Sequence, residues 1–239
     1  MPAETTGLGF RHVATLLRGE AAIISRWTER WDTSRLWLHV AVITIGAGLY
    51  GAAMGSWRAP EQALFVAIKF PLILLLTAIG NALLNGMLAP LLGLNITFRQ
   101  SFLSVIMCFA IAATILGSFA PITAFVIWNA PPLSVEAHRS GTYSLIMLMQ
   151  VGVIAFAGIT ADLRLGQLLR HFSGNRPAVA RRVLIAWLAG NLFFGSQLSW
   201  ILRPFIGSPI LPVEFIRHEA FKGNFFEAVF HAFLNVFNN

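Results

Sequence analysis

Five stretches of this chain are long enough, apolar enough and free enough of charge to cross a bilayer. A helix needs roughly 20 apolar residues to span about 30 Å of hydrocarbon. The runs 36–56, 63–87, 103–128, 143–161 and 183–202 meet that demand. Arg35 and Arg58 bound the first, Asp162 ends the fourth, and Arg182 and Arg203 bracket the fifth. Strands of a membrane barrel would alternate over segments of about ten residues, whereas these runs are continuous. The expected fold is therefore all-α, a polytopic membrane helix bundle. A cytoplasmic arm at 1–35 precedes the bundle at 36–203, and an exit followed by a helix occupies 204–239.

Composition closes the other classes. Only 11% of the 239 residues are charged and 56% are hydrophobic, with a mean hydropathy of +0.71. A soluble domain carries about 25% charged residues, so a water-soluble globule of this composition would expose large apolar patches. The net charge of +7 comes from basic residues flanking the apolar runs, which suits anionic lipid headgroups and gives no reason to expect nucleic acid. The one cysteine, Cys108, lies inside a run, so no internal disulfide or thiolate metal cluster can form. No short apolar core with a small-residue cleavage site follows Arg11, and no cleaved signal peptide is expected.

Positive charge sets the expected direction. Arg11, Arg18, Arg26, Arg30, Arg35, Arg99, Arg164, Arg170, Arg176, Arg181 and Arg182 fall on the side of the N-terminus. Arg58, Arg139, Arg203, Arg217 and Lys222 fall on the other. Eleven against five places the N-terminus in the cytoplasm and the C-terminus outside. Trp37 and Trp187 then mark one interface, and Trp57, Trp128 and Trp200 the other. The connection 88–98, with Pro90 and Gly93, reads as a tight turn, and 162–182 as one basic loop.

Both ends are amphipathic. Between Gly9 and Trp31, apolar residues at spacings of three and four face away from Arg11, Arg18, Arg26 and Arg30, which predicts a helix lying in the membrane interface, broken at Gly19-Glu20. At the other end Phe221, Phe225, Phe226, Phe230, Phe233 and Phe237 share one helical face. Burying a phenylalanine is worth roughly 1.5–3 kcal/mol, so that face must find cover. Pro204, Gly207, Pro209 and Pro212 make the exit stiff, which predicts docking on protein, either the chain's own bundle or a neighbouring subunit.

Few residues offer chemistry. Lys69 is the one formal charge inside a run, about 10 Å from the boundary at Gln62. An ionisable residue there is a functional candidate by default, for an ion, lipid phosphate or substrate, and its bland alternative is snorkelling. Lys69, Asn81, Asn85 and Gln150 form the candidate intramembrane polar site. The amides, with Asn191 and Gln197, could equally be interhelical glue. Gly51-x-x-x-Gly55, Ala113-x-x-x-Gly117 and Ala186-x-x-x-Gly190 predict close helix contacts. His39 is the one histidine in a run, a lone candidate for a pigment, and a paired-histidine haem site is not expected. No metal, no cofactor and no buried carboxylate in a span core are expected, and no catalytic motif is visible.

Two stretches carry a resemblance. Gly48-Leu-Tyr-Gly51 through Met54-Gly-Ser-Trp-Arg58, with Ala67-Ile-Lys-Phe-Pro71, resembles part of an uncharacterised family of bacterial multi-spanning inner-membrane proteins. Trp200-Ile-Leu-Arg-Pro-Phe-Ile-Gly-Ser-Pro209 and Gly223-Asn-Phe-Phe-Glu227 are similar to its tail pattern. The five-span layout also resembles that of Yip1-type membrane proteins. The resemblance implies a bacterial inner-membrane location and supplies no catalytic residues. The expected function is a non-enzymatic accessory subunit of a larger membrane assembly, or alternatively a small transporter or channel.

Overall fold

The computed structural model describes residues 10–29, 32–134, 141–174, 176–207 and 211–227. Seven helices lie among them: α1 (Phe10–Arg18), α2 (Ala21–Glu29), α3 (Thr33–Gly55), α4 (Pro60–Leu91), α5 (Phe98–Trp128), α6 (Gly141–Ser173) and α7 (Pro177–Leu202). There is no strand among the described residues. Helices α3 to α7 are the five long and apolar enough to cross a membrane. The chain is an all-α polytopic bundle, as its apolar runs require.

Each helix outruns the apolar stretch that announced it, because polar residues at membrane edges still favour helix when capped. Asp32 accepts hydrogen bonds from the Ser34 and Arg35 backbone at the start of α3 (3.0 and 3.3 Å). Thr97 and Gln100 form a reciprocal capping box on α5. Pro60 and Pro177 occupy first-turn positions, where a missing N–H costs nothing. Two expected loops are corrected. Residues 88–91 belong to α4, with Pro90 in its last turn, and the reversal comes at Gly93 (φ +88°). The expected basic loop at 162–182 is mostly helix: α6 continues to Ser173 because Leu165, Leu168 and Leu169 bury one face. Its chain then turns at Gly174 (φ +55°).

α3 packs on α4 and α5, α5 on α6, α4 on α7, and α6 on α7. Small residues permit the closest of these approaches, as their spacing predicts. A Cβ on Gly51 would lie 2.5 Å from the Val66 carbonyl oxygen, and one on Gly55 2.6 Å from that of Gln62. Gly117 faces Gly46 across the α3–α5 contact, where a Cβ would meet the Gly46 Cα at 2.9 Å. Gly190 leaves room for the Asn81 side chain. Polar contacts link the helices too: the Tyr50 hydroxyl of α3 donates to the Gln150 side-chain oxygen of α6.

The arm breaks at Gly19 (φ +71°) as expected, but its apolar face turns onto the bundle. Leu16 and Ile24 are buried in the main core, and α2 packs against α6. One histidine contact was not foreseen. His12 of α1 meets His39 of α3 with their Nε2 atoms 3.1 Å apart, so two histidines do pair across helices. That separation is a direct hydrogen bond, with no room for an iron between the rings.

Candidate functional site: a cavity walled by four spans

At the C-terminal end of the bundle the chain folds back as a cap. Phe205 stands edge-on to Phe70 (6.2 Å), Phe215 edge-on to Phe65 (5.5 Å), and Phe226 stacks on Phe193 (6.0 Å). The Gln62 amide donates to the carbonyls of Pro204 and Phe205 (2.9 and 3.0 Å). A helical turn opens at Phe225, where the Glu227 backbone N–H donates to Asn224 Oδ1 (2.9 Å). Of the six phenylalanines expected to dock, Phe225 and Phe226 lie on the chain's own bundle and Phe221 is 80% exposed. Phe230, Phe233 and Phe237 lie outside the described residues.

Beneath the cap, α4, α5, α6 and α7 enclose a cavity of about 950 Å³. That is the upper end of the usual ligand-pocket range of roughly 300–1,000 Å³. One stripe of α6 forms a wall from Tyr143 to Asp162, about 28 Å at 1.5 Å per residue, close to the thickness of a hydrocarbon core. Phe70, Ile73 and Leu74 face it from α4, and Phe109 and Ala112 from α5. Val151 and Leu192 line the cavity in mid-helix, yet are 57% and 66% exposed. The opening therefore lies at membrane depth, between α6 and α7. These two helices pack closely near their shared turn, where a Cβ on Gly166 would meet Leu184 at 3.2 Å.

The polar groups are few and sorted by end. Asp162 and Cys108 sit together at the inner limit, Sγ to Oδ1 3.7 Å. Thr77, Gln150, Asn191, Ser196 and Ser199 dot the middle. Arg203 and Arg217 stand at the cap. Arg203 is held in place by its guanidinium lying 3.6 Å over the Trp200 ring and donating to the Trp200 carbonyl at 2.5 Å. Burial, and after it the nearby Arg217 charge, lower the Arg203 pKa below the ordinary guanidinium range. Asp162 was read as the end of the fourth run, but α6 continues eleven residues past it and leaves it half-buried within the bundle.

The four residues of the expected polar site do not share a path. Lys69 is fully buried under the cap, where its ammonium donates to the Pro204 and Glu214 carbonyls (3.3 and 3.4 Å) and lies 5.2 Å from the Phe215 ring centre. Its stem reaches toward the membrane edge as a snorkelling lysine does, and the cap's carbonyls receive the head. Asn81 donates to Asn191 and to the Trp187 carbonyl across the α4–α7 contact. Asn85 is buried in the same helix, with neither side-chain atom hydrogen-bonded. Gln150 alone of the four lines the cavity. His39 spends its Nε2 on His12, and no cluster of three or more metal-ligating side chains occurs among the described residues.

Of the α7 stripe only Asn191 stood out in the sequence, as an interhelical amide, although Asn191, Gly195 and Ser199 repeat at intervals of four with Ser196 beside them. A small and polar stripe inside an apolar span was the available signal. Arg203 and Arg217 were weighed only as topology charges, because nothing local shows that the cap folds back. Fold and site together define a class: a five-helix membrane bundle with a laterally open apolar cavity and basic groups at one end. No protein-family model, curated protein or solved structure matches this chain.

Proposed function

We propose that this protein is a non-enzymatic multi-pass protein of the bacterial inner membrane that binds an amphiphilic molecule in the cavity between α4, α5, α6 and α7. The observation that carries the reading is an apolar cavity of about 950 Å³ among helices long and apolar enough to cross a membrane, with the lining residues Val151 and Leu192 exposed at mid-helix. Water-filled apolar space of that size at membrane depth is costly, and lipid chains are the solvent at hand. The eleven-to-five distribution of Lys and Arg supports a cytoplasmic N-terminus, with the cap on the extracytoplasmic side. Activity of a cytoplasmic reporter fused at Asn239 would refute that orientation.

Occupancy is testable with Gly195→Phe. A Cβ at Gly195 finds its nearest neighbour, Thr77 Oγ1, at 3.8 Å, so a small side chain fits and a ring fills the cavity. Native mass spectrometry of protein released from nanodiscs should show one retained lipid on the parent chain. The same measurement should show at least tenfold lower occupancy on Gly195→Phe, with the thermal midpoint little changed. Equal occupancy of the two would sink the reading.

A second reading is an accessory subunit of a larger membrane assembly, favoured by Phe221, which is 80% exposed on the cap. Mild-detergent purification from native membranes should then recover partner chains that Phe221→Ser loses. A lone monomer in both preparations counts against it.

A further inference from the structure

We infer that the cavity's ligand is a lipid phosphomonoester, its dianionic headgroup held by Arg203 and Arg217 under the cap and its hydrocarbon running along α6 toward Asp162. The inference rests on the cavity being a lipid site and adds the headgroup class. Its ground is a concentration of positive charge that the protein leaves unbalanced. Arg203 and Arg217 both line the cavity, and the Arg217 charge acts on Arg203. Two cations thus stand at one end of an apolar chamber, and a third, Lys69, is buried under the same cap. The ion pairs among the described residues are Arg18–Glu20, Arg35–Asp32 and Lys222–Glu219, and none of them involves these three. Lys69 is met only by carbonyls and a ring.

Like charges collected in a partly dry site need an anion, since each raises the cost of the others. A carboxylate would answer only one of them. A phosphomonoester carries close to two negative charges and three acceptor oxygens, and guanidinium groups meet such oxygens two at a time. The Arg203 fork is already fixed against Trp200, so little freedom is lost when the headgroup arrives. The Arg217 side chain makes no hydrogen bond or ion pair among the described residues, and the residue stands half-buried at the cavity. Asp162 lies at the far end, where it repels a headgroup entering the wrong way round. Polarity at the two ends thereby sets the direction of the bound lipid.

The test uses the full chain in nanodiscs of zwitterionic lipid, titrated with phosphatidate, with diacylglycerol of the same chains, and with inorganic phosphate. Phosphatidate should bind about ten- to a hundredfold more tightly than diacylglycerol, the range expected for charge-assisted hydrogen bonds. Arg217→Gln should abolish that preference, and Arg217→Lys should restore most of it. Because the Arg217 side chain holds no hydrogen bond or ion pair among the described residues, and its backbone bond to Ala220 survives substitution, its replacement should leave the thermal midpoint in place. Equal binding of phosphatidate and diacylglycerol, both blocked by Gly195→Phe, would overturn the headgroup assignment and leave the lipid cavity standing. Failure of both lipids to bind would overturn the cavity reading and this inference together. Inorganic phosphate displacing phosphatidate at comparable concentration would show a soluble anion site and overturn the lipid assignment.

Discussion

Replacing Gly46 by valine should prevent the bundle from assembling. At Gly46 α3 lies against the backbone of α5: an added Cβ would sit 2.2 Å from the Ala113 carbonyl oxygen and 2.8 Å from its carbon. Both are backbone atoms inside a continuous helix, so no side-chain rotation relieves the contact. The helices must separate, and their separation also disturbs Ile43, Ala47, Ala110 and Ala113 in the same core. Overpacking of this kind costs about 1–3 kcal/mol and sometimes more; with the clash on backbone, the upper end applies even to Gly46→Ala. Gly152 provides the control. It lies within α6 with nothing inside 4 Å of its added Cβ, so Gly152→Ala should be neutral or up to about 1 kcal/mol stabilising through helix propensity. Thermal unfolding in detergent of Gly46→Ala, Gly117→Ala and Gly152→Ala should rank them in that order of damage. Gly46→Ala unfolding at the parent temperature would show that α3 and α5 are not in this contact.

Acidification should release the N-terminal arm. His12 is buried in α1, stacked on Trp27 with ring centres 4.0 Å apart, and bonded to His39. The Arg35 guanidinium lies over the Trp27 ring, 5.3 Å from its centre, and is paired with Asp32 (3.0 Å). Burial, then the Arg35 charge, hold the His12 pKa down at about 4 from the ordinary 6.5, with Asp32 opposing them. The undocked arm therefore takes up a proton near pH 6.5, while the docked arm resists it until about pH 4. Docking is at full strength above pH 6.5, weakens as pH falls through that window, and levels off below about 4. The slope is about 1.4 kcal/mol per pH unit for one group, a few kcal/mol in all. Hydrogen exchange across Phe10–Arg18 should accelerate steeply between pH 6.5 and 4.5 relative to α5, after correction for the intrinsic rate. In His12→Phe, which keeps the stack on Trp27 and cannot titrate, the acceleration should vanish. Unchanged protection in the parent chain at pH 4.5 would mean that His12 is not closed in.

Much of this molecule is legible along the chain, because membrane insertion is decided span by span. Apolar length and flanking charge are local quantities, so five helices, their approximate places and the break at Gly19 could be read directly. Helix contacts were legible where small residues recur at intervals of four, as at Gly51 and Gly55. The site was not. Lys69 and Gln150 stood out as polar residues in apolar runs, but which of them faces a cavity depends on the rotation of each helix about its axis. Packing sets that rotation, since lipid covers one apolar face as readily as another. The ends of α4 and α6 were misjudged for a related reason: hydropathy marks where lipid stops, while capping and tertiary burial decide where the helix stops. The sequence by itself determined an all-helical membrane bundle. Tertiary structure alone decided that His12 meets His39 and that the tail folds back over Lys69 to place Arg203 and Arg217 at the cavity. Those pairings join residues 27 to 145 positions apart, and at such separations no local pattern encodes which groups the packing will bring together.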